Sequence, residues 1–216
     1  MQPHNFDVDI VIPSSKQKIK IDKDHIEVNN FSIACKDVKA VKYGVSLIGS
    51  KKNPERKDYN IDVLGNNGTE ISIKFSSTTF GDLLEEDHTY YYIMSGVWQY
   101  VKKYLVSHFI EILNEKQTFE IGKNTVTHEG FLMSYKTWEP SFKTFNWSKT
   151  RTDIVLWSDI KYYLSKGILH VKSISDKRKK AEFSLHYDWN AVVLNTLLHY
   201  LWQEHRKEKL AKGDKI

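Results

Sequence analysis

The sequence holds few of the residues that mark fibrous, disulfide-stabilised or membrane-spanning proteins. It has one cysteine, four prolines and ten glycines in 216 residues. One cysteine cannot form an internal disulfide, and so little proline and glycine excludes collagen-like and low-complexity classes. No window approaches the roughly 18 consecutive apolar residues of a membrane-spanning helix. The first residues, MQPHNFDVDIVIP, carry aspartates where an export signal needs positive charge. We therefore expect a soluble protein of the cytosol.

Apolar and aromatic residues are plentiful, and the charge is unevenly distributed. Apolar residues make up 40% of the chain and aromatic residues 13%, which is enough for packed cores. Residues 1–116 hold 15 basic and 16 acidic side chains, whereas residues 117–216 hold 17 and 11. Since the excess of positive charge belongs to the second half, we expect an anionic partner to bind there.

A first sequence pattern occurs twice. IKIDKDHI at residues 19–26 and FEIGKNTV at 119–126 each read as two short strands around a turn. Asp24 and Asn124 suit such turns because their side chains can bond nearby backbone and tolerate left-handed conformations. Each copy is therefore predicted to contain a hairpin here.

A second pattern recurs in residues 34–44 and 156–167. Both segments place an aspartate, a β-branched residue and a lysine in the same order, beginning at Asp37 and at Asp159. Because the two aspartates hold equivalent positions, a structural role at a strand start explains them better than catalysis does.

The third pattern is a hairpin followed by a helix. Residues 60–75 alternate around Asn66-Asn67-Gly68, and Asn-Gly favours a tight turn. Residues 168–187 form the counterpart, with its turn at Ser175–Lys180. Apolar residues then recur at helical spacing over about 25 residues from Asp87, and again after Asp188, the predicted N-cap.

Strands, an aspartate-containing strand, a hairpin and a helix thus occur twice in the same order. This order resembles that of tandem pleckstrin-homology-like (PH-like) proteins of bacteria. The resemblance implies a mainly β, α+β fold with two units, 1–116 and 117–216, each an antiparallel β-sandwich or barrel closed by a C-terminal helix. It also implies binding or scaffolding without catalysis. Phosphoinositide-binding members carry a Lys/Arg-x-Arg pattern near the first hairpin, where this chain has Lys18, Lys20 and Lys23 and no arginine.

The residues show no pattern typical of an enzyme or of a cofactor site. In the segment from Gly44 to Lys51 two glycines stand five apart, but serine precedes lysine, the reverse of a phosphate-binding loop. His199 and His205 are six residues apart, which does not suit a helical metal site. Cys35 lies in an apolar stretch and reads as an inert thiol. We predict no enzyme, no cofactor and no metal, and interpret His108 and His199 as core histidines.

Two segments of the second half could form a binding surface. The insertion at 135–151 interleaves aromatic and basic side chains, and a basic run occupies the predicted turn at 177–180. The predicted binding residues are Tyr135, Trp138, Phe142, Lys143, Trp147, Lys149, Arg151, Lys177, Arg178, Lys179 and Lys180. Alternatively, the insertion is a hairpin whose aromatic side chains complete the core, and the basic run only aids solubility.

Three kinds of partner follow from this surface. The leading hypothesis is a scaffold that binds a protein or small ligand through its second unit. The alternative is peripheral binding to an anionic membrane or to nucleic acid through the basic half, with nucleic acid the less favoured. A homodimer through exposed strand edges is a further option.

Overall fold

The protein is described by a computed structural model that covers residues 6–50, 54–78, 84–138 and 148–211. In these ranges the fold is mainly β, with four antiparallel sheets and two α-helices. The chain divides into two compact units, Met1–Ser107 and His108–Ile216. The division lies inside helix α1 (Glu85–Asn114), and the boundary expected after residue 116 lies just past the end of that helix.

The first unit begins with a four-stranded antiparallel sheet in which consecutive strands are neighbours. Its strands are β1 (Val8–Val11), β2 (Lys18–Ile21), β3 (His25–Val28) and β4 (Phe31–Ala34). A short 3₁₀ helix, Cys35–Asp37, leads into a three-stranded sheet. Its strands are β5 (Val38–Gly49), β6 (Pro54–Gly65) and β7 (Glu70–Ser77), and α1 follows them.

The second unit has the same order of elements. A four-stranded sheet contains β8 (Phe119–Ile121), β9 (Asn124–Val126), β10 (Gly130–Trp138) and β11 (Ser148–Leu156). The 3₁₀ helix Trp157–Asp159 follows. A three-stranded sheet contains β12 (Ile160–Ser165), β13 (Ile168–Ser173) and β14 (Lys180–Ser184), and the chain continues into α2 (Ala191–Ala211).

The second repeated pattern marks equivalent places in the two units, whereas the first does not. Asp37 and Asp159 each end a 3₁₀ helix directly before the three-stranded sheet. In contrast, residues 19–26 form β2 and β3, the middle pair of their sheet, and residues 119–126 form β8 and β9, the first pair. The alignment of that first pattern was therefore wrong by one strand.

Each of these strands buries one face and exposes the other, as the alternation of apolar and polar residues predicts. In β2, Ile19 and Ile21 are fully buried while Lys18 and Lys20 are exposed. Along β13, the residues on one face are buried and those on the other are partly exposed. Burial of one apolar face in each sheet supplies the main driving force for this arrangement.

The turns follow from local backbone chemistry. Gly68 has a positive φ of 83°, as expected for the predicted Asn-Gly turn between β6 and β7. Between β2 and β3, however, the side chain that bonds to the turn backbone is that of Asp22 and not that of Asp24. Its Oδ1 accepts the N–H groups of Asp24 and His25, each at 2.9 Å. Between β8 and β9, Gly122 provides the positive φ, and Asn124 already belongs to the strand.

Helix α1 contributes one apolar face to the first unit. The buried hydrophobic side chains between the start of the helix and the unit boundary are Tyr90, Ile93, Val97, Val101 and Leu105. Gly96 permits a close approach, because a Cβ added there would lie 2.8 Å from a methyl group of Val8. His108 is exposed, as is His199 in α2, so the prediction that these are core histidines was wrong.

Helix α2 begins later than predicted. Its first residue is Ala191, preceded by Asn190 with φ of 63°. Asp188 is therefore not the N-cap, and its Oδ2 instead accepts the N–H of Ser184 at 2.8 Å. The carboxylate stabilises the turn between β14 and the helix, a role that the N-cap residue preference does not anticipate.

Cys35 is 1% exposed, in agreement with its interpretation as a buried thiol. Burial and the nearby carboxylates of Asp22 and Asp24 raise the pKa of Cys35 to about 11. Because the reactive form of cysteine is the thiolate, a thiol with this pKa is inert at neutral pH.

Asp87 attaches the first turn of α1 to strand β6. Its Oδ1 accepts the hydroxyl of Tyr59 at 2.8 Å, and its Oδ2 pairs with Lys57 Nζ at 3.0 Å and accepts the N–H of Leu84 at 3.0 Å. Burial raises the pKa of Asp87, but the hydrogen bonds from Lys57, Tyr59 and Leu84 outweigh burial and hold the pKa below its ordinary value. The ionised carboxylate therefore stabilises the folded first unit.

We expect Asp87→Ala to lower the free energy of unfolding by about 2–3 kcal/mol at pH 7, because it leaves several partly buried donors without an acceptor. Urea unfolding followed by circular dichroism measures this. A lowered pKa gives stability that is present above the unfolded value and lost as the pH falls through the folded value, so the difference from wild type should shrink below pH 4. Asp58→Ala, which removes an exposed pair with Arg56, is the control and should have little effect. Equal effects of the two substitutions would contradict this role for Asp87.

Candidate functional site: the Tyr135 cluster

The predicted aromatic and basic insertion is an extension of the β10–β11 hairpin. In its described part, Tyr135 lies directly opposite Arg151, and Thr137 lies opposite Lys149. Side chains directly opposite in an antiparallel pair share one face of the sheet, so both basic residues share the face of Tyr135. Along this face Tyr135 and Thr137 are each 9% exposed, whereas Lys149 and Arg151 are exposed.

The basic turn between β13 and β14 packs against the same tyrosine. The guanidinium carbon of Arg178 lies 5.6 Å from the centre of the Tyr135 ring, and Lys179 Nζ lies 5.1 Å from it. Both distances are within the range of a cation–π interaction. The β10–β11 hairpin and the basic turn were predicted as separate binding segments. In the structure the basic turn packs on the buried Tyr135 ring of the hairpin.

Two carboxylates hold these cations in place. Asp153 Oδ2 accepts the hydroxyl of Tyr135 at 2.7 Å and pairs with Lys179 Nζ at 2.8 Å. Asp176 binds the Arg178 guanidinium through two hydrogen bonds, of 3.0 and 2.8 Å, and accepts the Arg178 N–H at 3.1 Å. We call this group the Tyr135 cluster; it comprises Tyr135, Arg151, Asp153, Asp176, Arg178 and Lys179.

The electrostatics agree with this geometry. The hydrogen bond from Lys179, then that from Tyr135, lowers the pKa of Asp153 below its ordinary value. Hydrogen bonds from the Arg178 side chain and N–H lower the pKa of Asp176 to about 2. The hydrogen bond to Asp153 raises the pKa of Tyr135. At neutral pH the cluster thus holds three cations, two carboxylates and a neutral phenol.

The remaining predicted binding residues take different places. Lys177 and Lys180 are exposed at the same turn, and Lys180 Nζ lies 3.8 Å from Glu182. Trp138 is the last residue of β10. Phe142, Lys143 and Trp147 lie outside the described residues, so the structure does not place them.

The two repeated aspartates bind backbone and hydroxyl groups. The carbonyl oxygen of Asp37 accepts the N–H of Asn66 at 2.8 Å, and that of Asp159 accepts the N–H of Ile174 at 2.7 Å. The Asp159 side chain also accepts the hydroxyls of Ser173 and Ser175. Burial raises the pKa of Asp159, but these hydroxyl hydrogen bonds outweigh it and leave the pKa lowered. A carboxylate that stays ionised and saturated with donors is suited to structural stabilisation and not to proton transfer.

Among the described residues, no group of three or more histidine, cysteine, aspartate or glutamate side chains could hold a metal ion. The Tyr135 cluster places two cations beside an aromatic ring, an arrangement that can contact anionic groups.

Sequence reasoning found the basic and aromatic members of the cluster but missed Asp153 and Asp176. Asp176 lies two residues before Arg178, so alternating charges in the turn were a usable signal for that pair. Asp153 and Lys179 are distant in sequence, and only the packing of one hairpin on the other brings them together.

No protein-family model, curated protein or solved structure matches the chain. Within the described residues, neither helix is long and apolar enough to span a membrane.

Replacing Lys179 with glutamine should raise the pKa of Asp153 toward its ordinary value near 3.8, because its largest stabilising hydrogen bond is lost. The pKa of Asp176 should stay at about 2, since Arg178 dominates there. Titration of the side-chain carboxyl signals by NMR measures both values. Arg178→Gln is the matched control, in which Asp176 should shift and Asp153 should not. An Asp153 pKa that is the same in Lys179→Gln and wild type would show that the ion pair between Asp153 and Lys179 does not form in solution.

Proposed function

We propose that this chain is a non-enzymatic intracellular binding module of two PH-like units that acts as a scaffold or adaptor. The order of elements supports this proposal. In each unit a four-stranded sheet, a 3₁₀ helix, a three-stranded sheet and a helix follow one another, which is the order that the PH-like resemblance implies. Such units commonly present loops and sheet faces to a partner and perform no chemistry of their own.

The partner binds the second unit at the Tyr135 cluster. The observation that carries this assignment is the convergence of the β10–β11 hairpin and the basic turn on one buried ring. The Arg178 and Lys179 side chains are already held by Asp176 and Asp153, so they lose little conformational freedom when a partner binds. A prearranged basic surface of this kind favours binding over catalysis.

The charge of the cluster specifies the partner. Its three cations exceed its two carboxylates, and the exposed Lys149 and Lys177 add further positive charge. Rim charges of one sign steer a partner of the opposite sign and set the salt dependence of binding. We therefore assign as partner an acidic segment of another protein.

The proposal predicts that Lys149→Glu combined with Lys177→Glu weakens partner capture. Both lysines are exposed and are not members of the Tyr135 cluster, so the fold should be unchanged. Quantitative mass spectrometry of proteins retained from lysate by the immobilised full chain measures capture, and we expect at least a tenfold loss for acidic partners. Lys18→Glu combined with Lys20→Glu changes the net charge equally on β2 of the first unit and should retain them. Retention of every partner by the Lys149 and Lys177 variant would refute the site.

A further inference from the structure

Strand β7 lies at the edge of the three-stranded sheet of the first unit. Among the described strands, β7 pairs with β6 alone. Antiparallel strands bond through every second residue, and the Thr69 carbonyl oxygen accepts the N–H of Gly65 on the β6 side. The backbone groups of Glu70, Ser72 and Lys74 therefore point away from β6. Outward-facing groups of this kind can pair with a further strand, which makes a sheet edge prone to self-association.

The side chain of Gln17 binds two of these outward-facing groups. Its Nε2 donates to the carbonyl oxygen of Ser72 at 2.9 Å, and its Oε1 accepts the N–H of Lys74 at 3.1 Å. A side-chain amide carries the same kinds of donor and acceptor as a peptide group. Gln17 therefore occupies the place that the backbone of an added strand would need on β7.

The loop between β1 and β2 positions Gln17. The N–H of Ile12 donates to the carbonyl oxygen of Gln17 at 2.9 Å, and the N–H of Lys16 donates to the carbonyl oxygen of Ile12 at 2.8 Å. Lys16 has a φ of 59°, an uncommon conformation for a residue with a side chain. Ser15 Oγ donates to Gln17 Oε1 at 3.3 Å. These contacts direct the glutamine amide toward the strand edge.

The second unit closes the equivalent position with a different side chain. In each unit a carbonyl oxygen closes the last hairpin, that of Thr69 or that of Lys179, and Lys74 and Ser184 each follow five residues later. The N–H of Ser184 donates to Oδ2 of Asp188 at 2.8 Å. A side-chain oxygen thus accepts the same edge N–H in both units, although the two side chains come from different parts of the fold. This recurrence favours a role in closing the edge over a chance contact.

The charges along β7 suit pairing with the same strand of a second copy. Consider two antiparallel β7 strands centred on Ser72: Glu70 of each copy lies opposite Lys74 of the other, and Ile71 lies opposite Ile73. The first pair is exposed and the second is buried, so like faces meet. Opposite charges directly across an antiparallel pair stabilise it. This pairing needs the backbone groups that the glutamine amide already binds.

We propose that the side chain of Gln17 closes the edge of β7 against strand pairing with a second copy of this chain. Without the amide, the Ser72 carbonyl oxygen and the Lys74 N–H are free, and two copies join their three-stranded sheets into one continuous sheet. A homodimer through this particular edge is thus prevented in the wild-type chain. Gln17 and β7 both belong to the first unit, so this role is independent of the Tyr135 cluster.

Sedimentation equilibrium of the full chain tests the closure. We expect Gln17→Ala to lower the dissociation constant for self-association roughly tenfold or more relative to wild type. Gln17→Met keeps the length of the side chain without its amide and should give the same gain, which provides a second variant if the alanine variant does not fold. Gln117→Ala is the matched control, because the amide of Gln117 is exposed and bonds Glu115 instead of a strand edge. It should self-associate no more than wild type.

Charge substitutions in the Gln17→Ala background test the register of the pairing. Lys74→Glu should reverse the gain because it brings carboxylates opposite each other, and Glu70→Lys should reverse it because it brings ammonium groups opposite each other. The two substitutions together restore opposite charges and should restore self-association. A dimer formed through another surface would not respond in this pattern.

Amide hydrogen exchange of the wild-type chain provides a test without substitution. The N–H of Lys74 faces away from β6, and its bond to Gln17 should protect it to the level of neighbouring strand amides. Exchange of this amide at the rate of an unprotected peptide would overturn the proposal. Equal self-association of wild type and both Gln17 variants would also overturn it, as would a gain that persists in both single charge variants.

Discussion

The carbonyl oxygen of the last residue of each 3₁₀ helix accepts a hydrogen bond from the turn after the second strand of the three-stranded sheet. In the first unit the donor is the N–H of Asn66 and in the second it is that of Ile174. Because each bond joins the residue before the first strand to the turn after the second, it fixes where the three-stranded sheet begins relative to its own hairpin. The two units are organised around this junction, and the repeated aspartates mark it in the sequence.

The units share this framework but differ in charge. In the first, Asp87, Lys57 and Tyr59 attach a helix to a strand, and Asp62 neutralises Lys42 within the sheet. In the second, lysines occupy three neighbouring strands, and the basic turn packs on Tyr135. Residues 1–116 hold 15 basic and 16 acidic side chains, whereas residues 117–216 hold 17 and 11, so basic side chains exceed acidic ones only in the second part. This contrast supports the assignment of binding to the second unit.

Features that depend on near neighbours could be predicted from the sequence. The Asn-Gly turn before Thr69 and the one-sided strands are examples, because backbone preference and period-2 alternation act locally. The start of α2 was predicted wrongly, since Asp188 fits an N-cap but bonds Ser184 instead. The ion pair between Lys179 and Asp153 could not be predicted, because it depends on how one hairpin packs on another. The two residues are far apart in the sequence, so no local pattern indicates the pair.

Amide hydrogen exchange on the full chain tests the duplicated junction most directly. The account predicts that the amides of Asn66 and Ile174 are both protected to the level of strand amides, although each lies just beyond the end of a strand. Exchange of either amide at the rate of an unprotected peptide would contradict it, because the two units would then not share the junction.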